Sequence, residues 1–472
     1  MLYLDTLFHP DSVAIVGASA NPAAKGYDYL KGMLELEFAG KLYPVNPNAS
    51  ELLGLKSYAN IKDIPGTIDY VICCISAPLS IKLVKDCATK GVKVLQLYSA
   101  GFSETGEEEG IKLEQALVRY AREAGIRVIG PNCIGVHYPK AGLAFARAKF
   151  SQRSGHVSGI IQSGGHAWAL VSNGFLRGIR FSKVISFGNA CDLNESDFLE
   201  YLADDAETEI IVSYIEGVKD GQRFANVIRT AAQTKPVIIF KGGSTEAGRR
   251  AVSSHTGSLA GSNIVWDALL RQVRAIRVYS LDELVDVVLP FIYFPKVEGS
   301  NIGIVGAGGG ASVQVTDDCE NRGLSVPLLP LEIREKLKEF TPLAGSGLRN
   351  PVDTVEIWNP QHLMRTLELV ATWDKIDILL AHVVMEMTAG WQGQSVLQGI
   401  VDSLLASGKK TNKPMAAVLQ SYGSPQGMAM LLDARKKFIE AGIPTYTTFA
   451  QAANALSKFI NYHRLSSTEF PR

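Results

Sequence analysis

The chain has no excess of charge of either sign: Lys and Arg together number 47, and so do Asp and Glu. That balance excludes the broad basic field that nucleic-acid backbones and anionic membranes select for. It leaves a local anion site open, because a helix N-terminus presents free N–H groups without any net charge. Long apolar runs are missing too; none approaches the ~20 residues of a membrane span. The opening residues, Met1 to Asp5, have neither a basic segment nor a long apolar stretch, so no secretory leader is expected. Six cysteines, at 73, 74, 87, 133, 191 and 319, form no C-x-x-C pair. Their scatter argues against a zinc site and a disulfide framework, predicts no resident metal, and fits a reducing cytoplasm. The G-x-G-x-x-G dinucleotide fingerprint is also missing, which speaks against an NAD(P)-dependent dehydrogenase.

What is present is an alternation. At 472 residues, with 46% hydrophobic and 20% charged content, the chain reads as an ordinary globular protein of roughly three domains. Short β-rich runs alternate with helical patterns, the signature of an α/β fold with parallel, doubly wound sheets. In the first block the runs are Val13–Val16, Lys41–Val45, Tyr70–Cys74, Val92–Leu97 and Ile126–Ile129, with helices such as Ser80–Thr89 and Gly106–Ala124 between them. The second block begins near Gly155 with Ser158–Gln162, Lys183–Ser186, Ile210–Tyr214 and Pro236–Phe240. Phe294–Ser300 breaks the periodicity and reads as a linker. The third block opens at Asn301–Gly306, continues through Asp377–Ala381 and Met415–Leu419, and closes on a helix from about Phe449 to His463, with a frayed tail. The second and third blocks share a strand, glycine turn, helix opening, as two copies of one fold would.

Glycine-rich turns sit where each block can hold an anion. Gly17, Ala18, Ser19, Ala20, Asn21 and Lys25 follow the first strand, where a turn, a helix start and a point charge suit a phosphate. Other strands of that block end in Val45-Asn46-Pro47, Ser76-Ala77-Pro78, Ser99-Ala100-Gly101-Phe102 and, after the fifth, Asn132-Cys133. Ligands of doubly wound sheets sit at these carboxyl ends, although each segment singly is also ordinary turn chemistry. Ser163-Gly164-Gly165 and Gly308-Gly309-Gly310 open helices in the second and third blocks and make local positive poles. His255 lies in the small, polar stretch Ser253–Gly261, read as a loop whose imidazole can carry a phosphoryl group. Glu216, at the end of the strand Ser213–Ile215, can orient that imidazole by accepting its other N–H. His166 is the rival imidazole. Asn350 and Asp353 can cap a helix or position a ligand, the cap being the simpler reading, and Ser103–Glu109 reads as a solvated helix start.

These residues together resemble the alpha subunit of ADP-forming acyl-CoA synthetases, the acetate–CoA ligase (ADP-forming) group of the succinyl-CoA synthetase superfamily. The resemblance runs from about Leu7 to Ile460 and is most specific in Ser253–Gly261 and Tyr214–Gly221. It implies a Rossmann-like CoA-binding domain over 1–148, a flavodoxin-like ligase domain with the phosphohistidine segment over 149–295, and a second flavodoxin-like ligase domain over 296–472. It implies CoA on the Gly17–Asn21, Val45–Pro47, Ser76–Pro78 and Ser99–Phe102 loops, phosphorylation of His255 and orientation by Glu216. The helix starts at Ser163-Gly164 and Gly308-Gly309 would be the phosphate-stabilising pair. Acyl-CoA, ADP and inorganic phosphate would interconvert with acid, CoA and ATP through an acyl phosphate. His166 and Trp168 stand where the family has small aliphatic residues, so they are expected to reshape the acyl pocket. No ATP-grasp segment follows the third block, so ADP/ATP with Mg2+ is expected on an ATP-grasp beta subunit, in an α2β2 heterotetramer. The alternative is a non-catalytic CoA- or acyl-CoA-binding regulator, which would have no need of His255 and Glu216.

Overall fold

Parallel strands covered by helices on both faces are buried and mostly apolar, and the long strands here follow that rule. The computed structural model describes residues 2–145, 153–256, 262–306, 308–342, 345–353 and 359–466. Sheet one contains β1 (Ser12–Val16), β2 (Lys41–Val45), β5 (Tyr70–Cys73), β6 (Val94–Leu97) and β7 (Arg127–Ile129), beside a small hairpin of β3 (Glu51–Leu52) and β4 (Leu55–Lys56). Every residue of β1, β5 and β6 is buried. The helices expected at Ser80–Thr89 and Gly106–Ala124 form at Ser80–Thr89 and Glu108–Glu123. In the second, Glu108 and Glu109 occupy the first turn and Arg122 the last, complementing the helix dipole.

Sheet two contains β8 (Gly135–His137), β9 (Val157–Ile161), β10 (Phe181–Ser186), β11 (Ile210–Ile215), β12 (Val237–Lys241) and β13 (Ile276–Val278). Sheet three contains β14 (Ile302–Val305), β15 (Gly347–Leu348), β16 (Val352–Asp353), β17 (Ile378–Val384), β18 (Met415–Gln420) and β19 (Thr445–Tyr446). The closing helix runs from Phe449 to Ser466.

The spatial orders are β2-β1-β5-β6-β7, β13-β12-β11-β9-β10-β8 and β15-β16-β14-β17-β18-β19. Within these three sheets all pairings are parallel except β8 with β10 and β15 with β16. With those two antiparallel edges set aside, all three sheets have the same order: second, first, third, fourth, fifth. The order reverses between the first and third strands of each sheet, and the crevice at that point is where such folds bind ligands. The repeat expected between the second and third blocks thus extends to the first. Chain contacts divide the molecule into two compact units, Met1–Leu284 with sheets one and two, and Val285–Arg472 with sheet three. Among the described residues no helix is long and apolar enough to cross a membrane.

Candidate active site

At the carboxyl edge of sheet one, Gly17 takes a φ of 88° and donates its N–H to the Val45 carbonyl at 3.0 Å. The next helix starts only at Lys25. Ala18 to Asn21 therefore form a loop of their own, in which Ser19 Oγ accepts from the Asn21 N–H and Asn21 Oδ1 accepts from Ala23 N–H. The helix comes back to touch the turn: a Cβ on Gly26 would lie 2.0 Å from the Gly17 carbonyl oxygen. Asn46 ties the two loops together, donating from Nδ2 to the Ala18 carbonyl at 2.8 Å. A cavity of about 420 Å³ opens here, walled by Gly17, Val45, Asn46 and Pro47 from the expected set. Its remaining wall includes Asn60, Ile61, Ile75, Leu79 and Leu83, which sequence reasoning did not single out. The legible signal was the Asn60-x-x-Asp63 capping box that turns the chain at Ile61–Asp63.

The other loops of this edge support one another. Ser76 precedes a short 3₁₀ turn, Ala77–Leu79, and Ser99 Oγ donates to the Ile75 carbonyl. Gly101, at φ 107°, packs its α-carbon side against Ala77, and Ala100 beside it is exposed. The side chains of Ala18, Ala77 and Phe102 are buried, so any ligand contact they make is through the main chain. Pro78 is exposed. Lys25 is half-exposed, pairs with Asp28 at 3.3 Å and lies 6.0 Å from the Tyr98 ring centre. Ser103–Glu109 is the solvated helix start expected only from Thr105 onward, with the helix beginning at Glu108. Glu104 accepts the Gly101 and Phe102 N–H groups and the Asn189 amide, and Asn189 also reaches Glu114 at 2.9 Å. Asn189 follows β10, so this cluster fastens the Ser99–Phe102 loop to sheet two. The amide's partners come from distant segments, which no local pattern reveals.

A second cavity, of about 220 Å³, lies where sheets one and two meet. It brings together Asn132 and Cys133 with Ser163, Gly164 and Gly165, and adds Tyr98, Ile134, Gln162 and Gly188. Gly164 opens the helix Gly164–Leu176, with Ser163 as its N-cap. A Cβ on Gly164 would come within 3.1 Å of the Ile134 side chain. Burial raises the Cys133 thiol to about 12, so it meets a ligand as a neutral thiol rather than a thiolate nucleophile. Neither His166 nor Trp168 lines this cavity. His166 instead stacks on Tyr214, with ring centres 4.2 Å apart and planes 1° apart, and its Nδ1 lies 3.2 Å from Ser163 Oγ. Trp168 is 41% exposed and turns toward Phe145.

Beside the cavity, Glu216 is 3% exposed and held from three directions. Its N–H donates to Gln162 Oε1 at 2.8 Å, the Tyr214 hydroxyl donates to its Oε1 at 3.1 Å, and Lys241 Nζ donates to its carbonyl at 2.7 Å. Gln162 and Glu216 end β9 and β11, the two strands at the reversal point of sheet two. His255, expected on a loop, falls in the last turn of a helix, Glu246–Thr256; its side chain and residues 257–261 lie outside the described residues. The helix forms because Glu246, Arg249 and Arg250 give it a polar, ion-paired first turn, Arg250 meeting Glu246 at 2.9 Å.

In the second unit, Gly308 precedes the helix Gly309–Glu320, and Gly308, Gly309 and Gly310 are exposed. A Cβ on Gly309 would stand 3.8 Å from Asp353 Oδ2, whose carboxyl burial raises. Asn350 is not a cap. Its Oδ1 accepts the Ile304 N–H at 2.9 Å and its Nδ2 donates to Ile302 and Pro327 carbonyls, sewing the loop to β14.

Three repeats of one sheet order, two with built cavities at their carboxyl ends, define a class: doubly wound α/β proteins with ligand sites at their switch points. Residues 11–139 match the CoA binding domain family, and residues 154–291 match the succinyl-CoA ligase like flavodoxin domain. The acetate–CoA ligase (ADP-forming) II subunit alpha of Pyrococcus furiosus is 36% identical over 445 residues, 94% of each chain. The acetate–CoA ligase (ADP-forming) I of Archaeoglobus fulgidus is 34% identical over 99% of this chain, which spans 64% of that longer relative. The solved dinucleotide-forming acetyl-coenzyme A synthetase 1 of Ca. Korarchaeum cryptofilum, in complex with phosphate and ADP, has a TM-score of 0.83 at 31% identity, covering 98% of this chain and 97% of that one. This chain belongs to the ADP-forming acyl-CoA synthetase family, on the alpha-subunit side.

Proposed function

We propose that the chain carries the acyl and phosphoryl half of an ADP-forming acyl-CoA synthetase, with His255 as the phosphoryl carrier. The observation that supports this best is the cavity where sheets one and two meet. It joins loop ends of a CoA-binding sheet to an uncharged helix N-terminus next to a buried, well-held carboxylate. CoA takes its nucleoside end to the larger cavity beside Gly17 and Asn46, with Lys25 near its phosphates. Its thioester reaches Asn132, Cys133 and Ser163.

The chemistry then follows the groups in place. A phosphate oxygen attacks the thioester carbonyl carbon, the C–S bond breaks and CoA leaves as thiolate. The resulting acyl phosphate lies against the N–H groups of Gly164 and Gly165, which hold its oxygens without a counter-ion to displace. A His255 ring nitrogen attacks phosphorus, the P–O bond to the acyl group breaks and the acid departs as carboxylate. Glu216 accepts the other ring N–H, selecting the tautomer and steadying the positive charge the ring acquires. The start of the helix Gly309–Glu320 has the same anion-holding chemistry on the second unit. The phosphoryl group passes on to ADP, bound with Mg2+ by an ATP-grasp beta subunit in an α2β2 assembly in the cytoplasm, a setting that suits six free cysteines.

Incubation with acetyl-CoA, or a longer acyl-CoA, and radiolabelled phosphate tests the reading. It expects an acid-labile, alkali-stable label on wild type and none on His255→Ala. An unlabelled wild type across an acyl-CoA panel rejects it, and a labelled His255→Ala moves the role to another residue, His166 first.

A further inference from the structure

Lys241 is a buried lysine with no role in the chemistry above. It ends β12 and is 2% exposed. Its ammonium donates to the Glu216 carbonyl at 2.7 Å and to the Gly242 carbonyl, and sits 5.5 Å from the Trp266 ring centre. Among the described residues it has no carboxylate ion-pair partner. An ammonium buried against carbonyls and a ring costs folding free energy, and burial pushes its pKa down to about 8. The charged groups around it are Glu216 on β11, which favours its charge, and Arg277 on β13 and Arg249 on the helix Glu246–Thr256, which oppose it. The Tyr214 phenol lies against the same corner, within 2.7 Å of where a Gly242 Cβ would stand. An apolar residue would suit the end of this strand better if packing were the only need.

Position explains the choice. β11 runs out at Ile215 into Glu216, and β12 runs out at Lys241 into Gly242 and Gly243, from which the chain reaches the helix bearing His255. The Lys241 ammonium bridges the two exits. We infer that Lys241 is a positioning residue for phosphoryl transfer at His255, clamping the orienting carboxylate's strand end to the start of the nucleophile's segment and supplying the positive charge that offsets the phosphoryl group beside Glu216. The inference rests on the proposed role of His255. Lys241 exchanges no proton and forms no bond in the step: the N–P bond forms at His255 as the acyl phosphate P–O bond breaks.

Phosphoryl labelling with acetyl-CoA and radiolabelled phosphate, followed from about pH 6 to pH 10 beside urea unfolding, separates this from a structural role. The folded pKa lies below the unfolded one. Between about 8 and about 10.5 the unfolded chain therefore holds a proton the native chain has lost, and this group makes stability rise with pH. Labelling by wild type should fall in a step centred near pH 8, as the native clamp loses its charge. Lys241→Met should lower the labelling rate about 10- to 100-fold, the weight of a charged hydrogen bond, and lose the step near pH 8. Lys241→Arg, which stays charged, should restore part of the rate and show no step. A wild-type rate that holds or climbs through pH 8–10, or a Lys241→Met protein labelling at the wild-type rate, overturns the inference; the wild-type profile decides even where the variants fail to fold. A wild type that takes no label at any pH overturns the reading of His255 itself, and this inference with it.

Discussion

Sheets two and three have the same strand order and the same strand, glycine turn, helix opening, yet their reversal points are built for different ends. In sheet two the helix start is capped by Ser163 and borders a cavity, and the acid that follows the third strand, Glu216, keeps its carboxylate buried with a tyrosine hydroxyl on one oxygen. In sheet three the acid after the third strand is Glu386, and its Oε1 is taken up by Ser421 Oγ, the Tyr422 and Ser424 N–H groups and Ser424 Oγ. The interior imidazole there, His382, has its two nitrogens on the Gly306 carbonyl and Gln420 Oε1, 3.2 and 2.7 Å away. In one copy of the motif the acid lies buried beside a cavity, which is where the proposed function uses it. In the other, one oxygen of the acid and both nitrogens of the imidazole brace loops. Topology sets where a site can form, and the side chains placed there decide what it does.

The sharpest way to break this comparison is to neutralise both acids. Glu216→Gln keeps the shape but presents an amide to the imidazole, so the phosphoryl-labelling rate should fall on the order of 10²-fold or more. Glu386→Gln should leave that rate within about twofold, because loop bracing is reached through stability rather than through the reacting atoms. Equal losses in the two variants would end the claim that only sheet two holds a poised acid. CoA binding by Glu216→Gln, measured by calorimetry, should match wild type; a parallel loss would mean Glu216 supports the fold instead.

Smaller effects should separate the glycines of the two sites. Gly188 has φ 55° and borders the cavity, and a Cβ there would lie 2.1 Å from the Pro131 carbonyl oxygen. Left-handed strain and a main-chain clash add, so Gly188→Ala should destabilise the first unit by about 2–5 kcal/mol in urea unfolding. Gly310 lies in the first turn of its helix with nothing within 4 Å of a Cβ. Gly310→Ala should stabilise the second unit by about 0.5–1 kcal/mol through the unfolded chain's lost freedom. Opposite signs are the expectation; two destabilised variants would mean the exposed glycine turn is as closely packed as the cavity-lining one.

How far such contrasts were legible depends on the range of the signal. The long buried strands were plain, because β5, β6, β11 and β17 are buried at every position and so mostly apolar, and their runs stand out between helices. β8, β13, β16 and β19 were missed; each has only two or three residues and exists through its neighbour in the sheet. Family motifs carried the glycine turns, His255 and Glu216. What holds Glu216 did not show: Gln162, Tyr214 and Lys241 sit on three strands, and only the sheet's register sets them side by side. Lys241 in particular follows the apolar run Pro236–Phe240, and no local pattern marks it as the buried group it is.

The smallest effect is a pH dependence confined to the second unit. Burial works against the Glu386 carboxylate, but hydrogen bonds from Ser421, Tyr422 and Ser424 prevail and hold its pKa at about 2, against an ordinary 4.5. A folded pKa below the unfolded one contributes stability that is whole above about 4.5 and is lost as pH falls through 2. Solvent screening trims the effect, since the group is only half-buried. Urea unfolding of wild type should therefore lose midpoint as pH drops from about 5 to about 2, and Glu386→Gln should give a flatter slope with a lower starting point. The same slope in both proteins would show that the brace at Ser421–Ser424 carries no charge-dependent weight.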